Sequence, residues 1–386
     1  SFSNWDSKAN PINAKNMGPH RDLIGDLSVA VRKQGLKFGV SNHGIEAFQF
    51  VKPSAQVQAL LKPKQADIYD PKWETFYDTD RSDQACEKFL ANWVARNVEL
   101  IDQYKPDMLW FDNGVDQRYL DPLKLWVAAY YYNRAIAWGK QVSISTKKAA
   151  YAPSGDNVET IGSIIDFEKI GARSPGGIRT GAWQVDQPIG SQWGYATDMR
   201  VSSPAAIIEA LVDTVSKNGN LLLNSSPTAE GEVPQAQQET LLGVGEWLGV
   251  NGEAIYGTHN WFVYGEGVPA RGQPRNDAAN VRFTVKGDAL YAIVLGNWTG
   301  GGEVTIKSLG TKPEKGADKG KVSGVTMLGS DGALKFEQGE EGLKGTLPEK
   351  APGKYAYVLK IAGAKVDADT ATKDGNPIPG WGEKGQ

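Results

Sequence analysis

The chain has 386 residues, with 42 Lys and Arg against 45 Asp and Glu, and a formal net charge of −3. This balance provides no broad positive surface that would attract phosphate backbones or anionic lipid. No apolar run approaches the ~18 residues of a membrane span. Neither nucleic acid nor membrane partners are therefore expected. The single cysteine, Cys86, excludes an internal disulfide. Without a Cys/His cluster of zinc spacing, no metal and no cofactor are expected.

The first 257 residues alternate amphipathic helices with short apolar strands. Such alternation is typical of a parallel sheet covered on both faces, and the sequence therefore predicts an α/β architecture. Successive helices are predicted to end at Gly35, at Lys105-Pro106, at Gly139 and at Asn218-Gly219. The predicted helix and strand pairs span residues 21–34 and 36–41, 85–104 and 108–112, 122–138 and 142–146, and 204–217 and 220–224.

After Gly257 the pattern changes to short runs of β-forming residues separated by Gly, Asp and Asn turns, which indicates an antiparallel β module. We therefore divide the chain into a domain of residues 1–257, a β-sandwich of residues 258–363 and a tail of residues 364–386 that is expected to be poorly ordered. An exposed Lys/Gly-rich loop is expected at residues 310–321. The strands of the module are predicted at residues 281–285, 289–295, 302–306 and 355–361.

The aromatic content is unusual, with 12 Trp, 14 Tyr and 11 Phe. Tryptophan is several times commoner than its usual share of about 1%, and such deviations are informative. Flat rings that stack on the apolar faces of pyranoses favour a protein that handles sugars. Core packing is the alternative interpretation for any single ring.

Asp112 is the strongest candidate for chemistry, because ligands of parallel α/β folds bind at the carboxyl ends of strands. Burying a carboxylate at the end of an apolar strand costs free energy unless the carboxylate is paired with another group or takes part in function. The structural alternative is that Asp112 caps the following loop as an Asx turn. With a second carboxylate, Asp112 would form a glycosidase pair, in which one group attacks the anomeric carbon and the other donates a proton. Glu168, Glu159 and Asp166 are the candidate partners.

Glu168 is the preferred partner because it follows another apolar run and lies 56 residues beyond Asp112, far enough to come from a different strand. A surface salt bridge with Lys169 is its structural alternative. His43 follows the first strand beside Asn42, where it can hydrogen-bond either a sugar hydroxyl or the backbone. Three tryptophans are candidates for the walls of a sugar pocket, with packing as their alternative: Trp110, Trp183 and Trp193.

Seven short blocks within residues 1–258 carry a specific combination of motifs. They lie at residues 5–8, 16–23, 35–40, 105–112, 193–195, 217–224 and 251–256. In this order, the blocks resemble the α-L-fucosidases of glycoside hydrolase family 29.

The resemblance implies a (β/α)8-like TIM barrel followed by a C-terminal antiparallel β-sandwich, and hydrolysis with retention through a covalent fucosyl–enzyme intermediate. It implies that Asp112 of the Leu-Trp-Phe-Asp block is the nucleophile. It assigns the acid/base to Glu168, as in the branch where an Asp-Phe-Glu-Lys block precedes a Trp-Gln-x-Asp block. The substrate would be a fucosylated oligosaccharide or glycan, whose 6-methyl group is expected to meet Trp193 or Trp183.

The sequence departs from the family pattern at its start. Family members carry earlier barrel strands and a His-His pair ahead of the position of Phe2, and only five or six of eight strands are predicted here, so we expect the natural chain to begin before Ser1. Two alternatives stay open: a catalytically inactive fucose-binding protein and a retaining glycosidase for another sugar. Family habit implies a secreted or periplasmic location, with a cytoplasmic one as the alternative.

Overall fold

Contacts divide the chain into two units, Ser1–Asp166 and Phe167–Gln386. In the described ranges, no helix is long and apolar enough to cross a membrane. The domain boundary at Gly257 stays a prediction. A computed structural model of the chain describes residues 2–51, 53–78, 83–148, 150–151, 162–170, 175–179, 181–267, 280–296, 298, 300–312 and 319–366.

The first unit contains parallel strands that follow one another in chain order. β1 (Gly39–Asn42) pairs with β2 (Met108–Phe111), β2 with β3 (Ser143–Lys147), and β3 with β4 (Ile164–Glu168), whose last two residues belong to the second unit. Because parallel strands end at the same edge, this order gathers the residues that follow β1, β2 and β3.

Among the described residues of this unit, six α-helices accompany the strands. Three of them confirm the predicted helices, whereas the sequence pattern does not predict the three short helices that follow β1. The first helix begins after Asp22, whose side chain accepts a hydrogen bond from the Gly25 amide, and ends before Gly35, which has a φ of +73°. The helices are α1 (Leu23–Lys33), α2 (Gly44–Phe50), α3 (Ala55–Leu61), α4 (Glu74–Tyr77), α5 (Asp83–Tyr104) and α6 (Asp121–Ala137).

The core of the first unit lies between its strands and its longer helices. Leu109 and Phe111 of β2 are buried with Ile144 of β3, and Phe111 meets Trp93 of α5 with 5.9 Å between ring centroids. Tyr131 of α6 is fully buried and donates its hydroxyl hydrogen bond to the Pro106 carbonyl. Apolar strands held between helices confirm the α/β class predicted from the sequence.

The second unit begins with two further parallel strands, β5 (Trp183–Pro188) and β6 (Gly219–Asn224). Two helices follow the same alternation, α7 (Pro204–Ser216) and α8 (Gln235–Asn251). The sequence pattern predicts α7 and β6 but not α8. The part of the chain that the structure describes then contains eight antiparallel strands: β7 (His259–Glu266), β8 (Val281–Lys286), β9 (Ala289–Leu295), β10 (Glu303–Ile306), β11 (Gly324–Met327), β12 (Phe336–Gly339), β13 (Gly342–Thr346) and β14 (Ala356–Ala362).

The antiparallel strands form two sheets, one of five strands in the order β11-β14-β9-β8-β7 and one of three in the order β10-β13-β12. Phe283 and Leu290 of the larger sheet share a buried cluster with Ile306 and Leu343 of the smaller one. Two sheets that bury one common core form a sandwich, as predicted. Of the expected loop and tail, residues 313–318 and 367–386 lie outside the described residues.

The contact between Gly219 and Trp183 gives a stability prediction. A Cβ at residue 219 would lie 2.5 Å from Cε2 and Cζ2 of the Trp183 ring. We expect Gly219→Ala to lower the free energy of unfolding in urea by about 1–3 kcal/mol, the usual cost of overpacking. Gly245→Ala is the matched control, because residue 245 is an exposed position of α8 and nothing lies within 4 Å of a Cβ there. The control should gain about 0.5–1 kcal/mol. A Gly219→Ala variant as stable as the parent would contradict this packing.

Candidate active site

Asp112 is the first residue beyond β2, at the carboxyl end of the strand. Its Oδ1 accepts hydrogen bonds from the backbone amide of Asn113 at 2.7 Å and from Asn113 Nδ2 at 3.0 Å. Its Oδ2 lies 3.3 Å from Nδ1 of His43, and its side chain is 19% exposed. One oxygen is therefore anchored locally, while the other faces the neighbouring strand end.

His43 occupies the equivalent position after β1. Asn42 pairs with Phe111 in the sheet register, so the residues that follow them lie side by side. Asn42 fixes the turn, because its side chain donates to Asn97 and accepts from the Gly44 amide. The His43 ring is half-exposed and lies 5.3 Å from the Trp110 ring, centroid to centroid. The structure thus brings together three of the predicted site residues: His43, Trp110 and Asp112.

Glu46 joins this group, although the sequence does not single it out. Its Oε2 lies 3.0 Å from His43 Nδ1, the nitrogen that also faces Asp112. The His-x-x-Glu spacing at the start of a helix is the signal in the sequence, because residues three apart share a helix face. Two carboxylates therefore flank one imidazole nitrogen.

Electrostatics in this cluster favour a charged imidazole between partly desolvated carboxylates. The hydrogen bond to Glu46 raises the pKa of His43, against the effect of burial, and the charge of Asp112 raises it further. Burial raises the pKa of Asp112 above its ordinary value, and the charge of Glu46 adds to this rise. The Asn113 amide, His43 and Lys147 act in the opposite direction on Asp112.

Trp110 is held from the side by a buried ion pair. Its Nε1 donates to Asp166 Oδ2 at 3.0 Å, and Asp166 Oδ1 lies 2.7 Å from Lys147 Nζ. The side chains of Lys147 and Asp166 are 6% and 0% exposed. A carboxylate so enclosed is unsuited to protonating a leaving group, so we do not propose Asp166 as the acid/base. Glu159, the other alternative, lies outside the described residues.

Glu168 is the last residue of β4 and belongs to the second unit. Its neighbour Phe167 meets Trp183 edge-on, with 5.8 Å between ring centroids. Because side chains alternate along a strand, Glu168 projects from the opposite face of β4. Its distance from Asp112, which lies in the first unit, stays a prediction.

The two tryptophans of the second unit differ in exposure. Trp183 is 1% exposed and its indole N–H donates to the Lys217 carbonyl at 2.9 Å, which are the contacts of a packing residue. Trp193 is 36% exposed, and its carbonyl accepts hydrogen bonds from Asn224 and Ser226. Lys169, which follows Glu168, places its Nζ 5.3 Å from the Trp193 ring centroid. Trp193 is therefore the better candidate for a sugar wall.

His43, Glu46 and Asp112 also form the one group of three or more metal-ligand residues with suitable spacing among the described residues, with ligand atoms within 4.8 Å of one another. Hydrogen-bond distances between Nδ1 and the two carboxylates account for this clustering. We assign no metal to the group.

A family model for alpha-L-fucosidase matches residues 1–253, and a model for the alpha-L-fucosidase C-terminal domain matches residues 273–362. The chain belongs to the α-L-fucosidase family. It is therefore a member of a glycoside hydrolase family, as the seven sequence blocks predict.

Individual α-L-fucosidases agree with this assignment. The tissue alpha-L-fucosidases of Homo sapiens and Rattus norvegicus are 29% and 30% identical to the chain, over 94% and 93% of it and 70% of each relative. The solved alpha-fucosidase of Thermotoga maritima in complex with fucose has a TM-score of 0.67 at 28% identity, covering 94% of this chain and 73% of that one. The shared architecture confirms the predicted TIM-barrel-type fold with a C-terminal β module.

Asp107 and Asp112 flank β2 and provide a matched pair for a stability test. Burial alone would raise the pKa of Asp107, but the Phe38 amide and Lys140, each at 2.9 Å, hold that pKa below its ordinary value. Asp107→Asn should lower the free energy of unfolding at pH 7 by about 1 kcal/mol, through loss of charge-assisted contacts. This deficit should vanish as the pH falls through the lowered pKa.

Asp112→Asn should change the free energy of unfolding at pH 7 in the opposite direction. Because the native state disfavours the charge of Asp112, the variant should be more stable than the parent at pH 7. Its advantage should disappear below about pH 3.9, the ordinary Asp pKa, where both states of the parent are protonated. Urea unfolding from pH 3 to pH 8 measures both effects. An Asp112→Asn variant less stable than the parent at pH 7 would contradict the desolvation of this carboxylate.

Proposed function

We propose that this family member is a retaining exo-α-L-fucosidase, which hydrolyses terminal α-L-fucose from oligosaccharides or glycoconjugates. The observation that carries the proposal is the Asp112 carboxylate at the carboxyl end of β2, 3.3 Å from His43 and 19% exposed. Similarity to a fucosidase solved in complex with fucose supports the choice of sugar. The fucosylated oligosaccharide or glycan is the expected partner.

In the first step, an oxygen of ionised Asp112 attacks the anomeric carbon while the bond from that carbon to the leaving oxygen breaks. Glu168 gives its proton to the leaving oxygen, and a fucosyl ester of Asp112 results. In the second step, Glu168 takes a proton from water, the water oxygen attacks the anomeric carbon, and the ester bond breaks. Two inversions give net retention, for which the two carboxyl groups need to lie about 5–5.5 Å apart.

The alternation of side chains along the strands supports Glu168 as the partner. Asp112 lies two residues after Trp110, and Glu168 lies two residues after Asp166. Trp110 and Asp166 meet through a hydrogen bond, so they project from the same side of their sheet. Continuing the period of two along each strand favours the same side for Asp112 and for Glu168.

His43 and Trp193 are the proposed sugar contacts. The contacts of His43 with the carboxylates use Nδ1, which leaves Nε2 as the ring nitrogen for a sugar hydroxyl. The partly exposed face of Trp193 suits the 6-methyl group of fucose. A hydrophobic wall discriminates a methyl group by only about 1–3 kcal/mol, so the polar contacts carry much of the specificity. Trp110 contacts the His43 ring, with 5.3 Å between ring centroids.

We propose a secreted or periplasmic location, following the family habit. Fractionation of the source cells with an antibody to this chain tests the location, and recovery of all of the protein with cytoplasmic markers would contradict it.

Azide rescue of two variants tests the assignment of the carboxylates. Asp112→Gly should lose at least about 10³-fold in kcat on an aryl α-L-fucoside, because the covalent intermediate cannot form. Azide should then attack the free face and give β-L-fucosyl azide. Glu168→Ala should still form the ester from an activated aryl fucoside, and azide should open it to α-L-fucosyl azide. NMR of the product distinguishes the two anomers.

Glu74→Gln is the matched control, because Glu74 is an exposed carboxylate whose ion-pair partner is Lys88. Its kinetics should equal those of the parent and should not respond to azide. Full activity of Asp112→Gly would contradict the nucleophile assignment. Rescue of Glu159→Ala in place of Glu168→Ala would move the acid/base role to Glu159. Fucose binding by a parent protein without turnover would instead favour the inactive sugar-binding alternative.

A further inference from the structure

Glu46 is a carboxylate in the cluster that the double displacement does not use. We propose that Glu46 is a positioning residue: its carboxylate fixes the orientation of the His43 ring and the proton on Nδ1, so that the ring presents an N–H to Asp112 throughout the reaction. The inference rests on the proposed function in taking Asp112 as the nucleophile. The contact between Glu46 and His43 can be tested without any turnover.

The backbone builds this contact. Glu46 lies in the first turn of α2, three residues after His43, and its amide donates to the His43 carbonyl at 3.0 Å. The same two residues meet again through Oε2 and Nδ1 at 3.0 Å. The Glu46 side chain is 15% exposed, whereas that of His43 is 51% exposed. The more buried residue therefore holds the more exposed ring.

The chemistry of the partners determines the proton on Nδ1. Ionised carboxylates only accept hydrogen bonds. Nδ1 faces Glu46 Oε2 at 3.0 Å and Asp112 Oδ2 at 3.3 Å, so this nitrogen has to be the donor. Without the Glu46 carboxylate, Nδ1 would keep only the longer of these two contacts, the one with Asp112 Oδ2 at 3.3 Å. The choice of tautomer would then depend on Asp112 alone.

Glu46 becomes most important once Asp112 has reacted. Three charged groups act on His43: Glu46 from α2 and Asp112 from the end of β2 favour its protonation, and Lys147 from β3 opposes it. Esterification of Asp112 removes one of the two anions. Glu46 then remains to hold the ring and its proton against Lys147 until water releases the sugar. The ring is thus already in place when the Asp112 carboxylate reforms.

The chain is well suited to a direct test because it has three histidines, His20, His43 and His259. In a 15N-histidine-labelled protein, His43→Asn identifies the signals of residue 43. We expect neutral His43 to carry its proton on Nδ1. In Glu46→Gln, the pKa of His43 should fall, and the Nδ1–H tautomer should lose population. Asp112→Asn should lower the same pKa by less, because the Glu46 hydrogen bond is the larger cause.

Glu74→Gln, which removes one exposed negative charge elsewhere in the same unit, should leave the His43 titration unchanged. An unchanged titration of His43 in Glu46→Gln would overturn the inference, even in a fully active enzyme. A parent protein without fucosidase activity, but with the predicted His43 titration, would overturn the proposed function and leave the contact between Glu46 and His43 standing. The two failures are therefore distinguishable.

Kinetics provide the second measurement. Partners that orient metal-bound imidazoles typically contribute about 10–100-fold, and by analogy we expect a loss of this order in kcat for Glu46→Gln. The acidic limb of kcat/KM should move to lower pH, because the Glu46 charge that raises the pKa of Asp112 is gone. A purely structural role would lower the amount of folded enzyme without moving this limb. A loss of activity with an unmoved limb would therefore count against the positioning role.

Discussion

The parallel register of β1 with β2 is the constraint on which the described site depends. Asn42 lies opposite Phe111, so the next residues, His43 and Asp112, leave the sheet together and meet at 3.3 Å. Each residue advances a strand by about 3.3 Å, and a slip of one residue turns side chains to the other face. The apolar residues of β2, buried on both sides, fix that register. Packing in the core of the first unit thus determines the chemistry at its edge.

Opposite charges in and beside the cluster offset the free-energy cost of burying its ionised groups. Lys147 and Asp166 form an ion pair at 2.7 Å with almost no exposure, and the second oxygen of Asp166 accepts the Trp110 N–H. The positive charge of Lys147 favours ionised Asp112 and opposes protonation of His43. Glu46 acts in the opposite direction on both groups. The protonation of the nucleophile therefore depends on a balance among side chains from several elements.

Local patterns were sufficient to predict the elements that carry the first site residues. β1 and β2 lie in apolar runs that begin after Gly35 and after Lys105-Pro106, and these helix-ending residues delimit both strands. The sequence pattern does not predict α8, because polar residues or glycine occupy several of its buried positions. These positions include Gln237, Thr240, Gly243 and Asn251.

The roles of the aromatic residues depend on contacts that the sequence does not contain. Trp183 and Trp193 are the same residue type, and the sequence does not distinguish their environments. Trp183 packs against Gly219 between β5 and β6. Trp193 lies on a loop, where its carbonyl accepts a hydrogen bond from the Asn224 side chain. Glu46 was missed for a related reason: its function depends on a helix that begins immediately after β1. The seven motif blocks identify the family, but the burial of each ring comes from the fold.

Trapping the covalent intermediate tests the central claim most directly. A 2-deoxy-2-fluoro-α-L-fucosyl fluoride slows the second step more than it slows loss of a good leaving group, so the ester should accumulate. Peptide mass spectrometry should then find one 2-fluorofucosyl group on the peptide that contains residues 108–112, with fragmentation placing it on Asp112. A label on any other residue of an active enzyme, or product of inverted configuration from the natural substrate, would contradict the account.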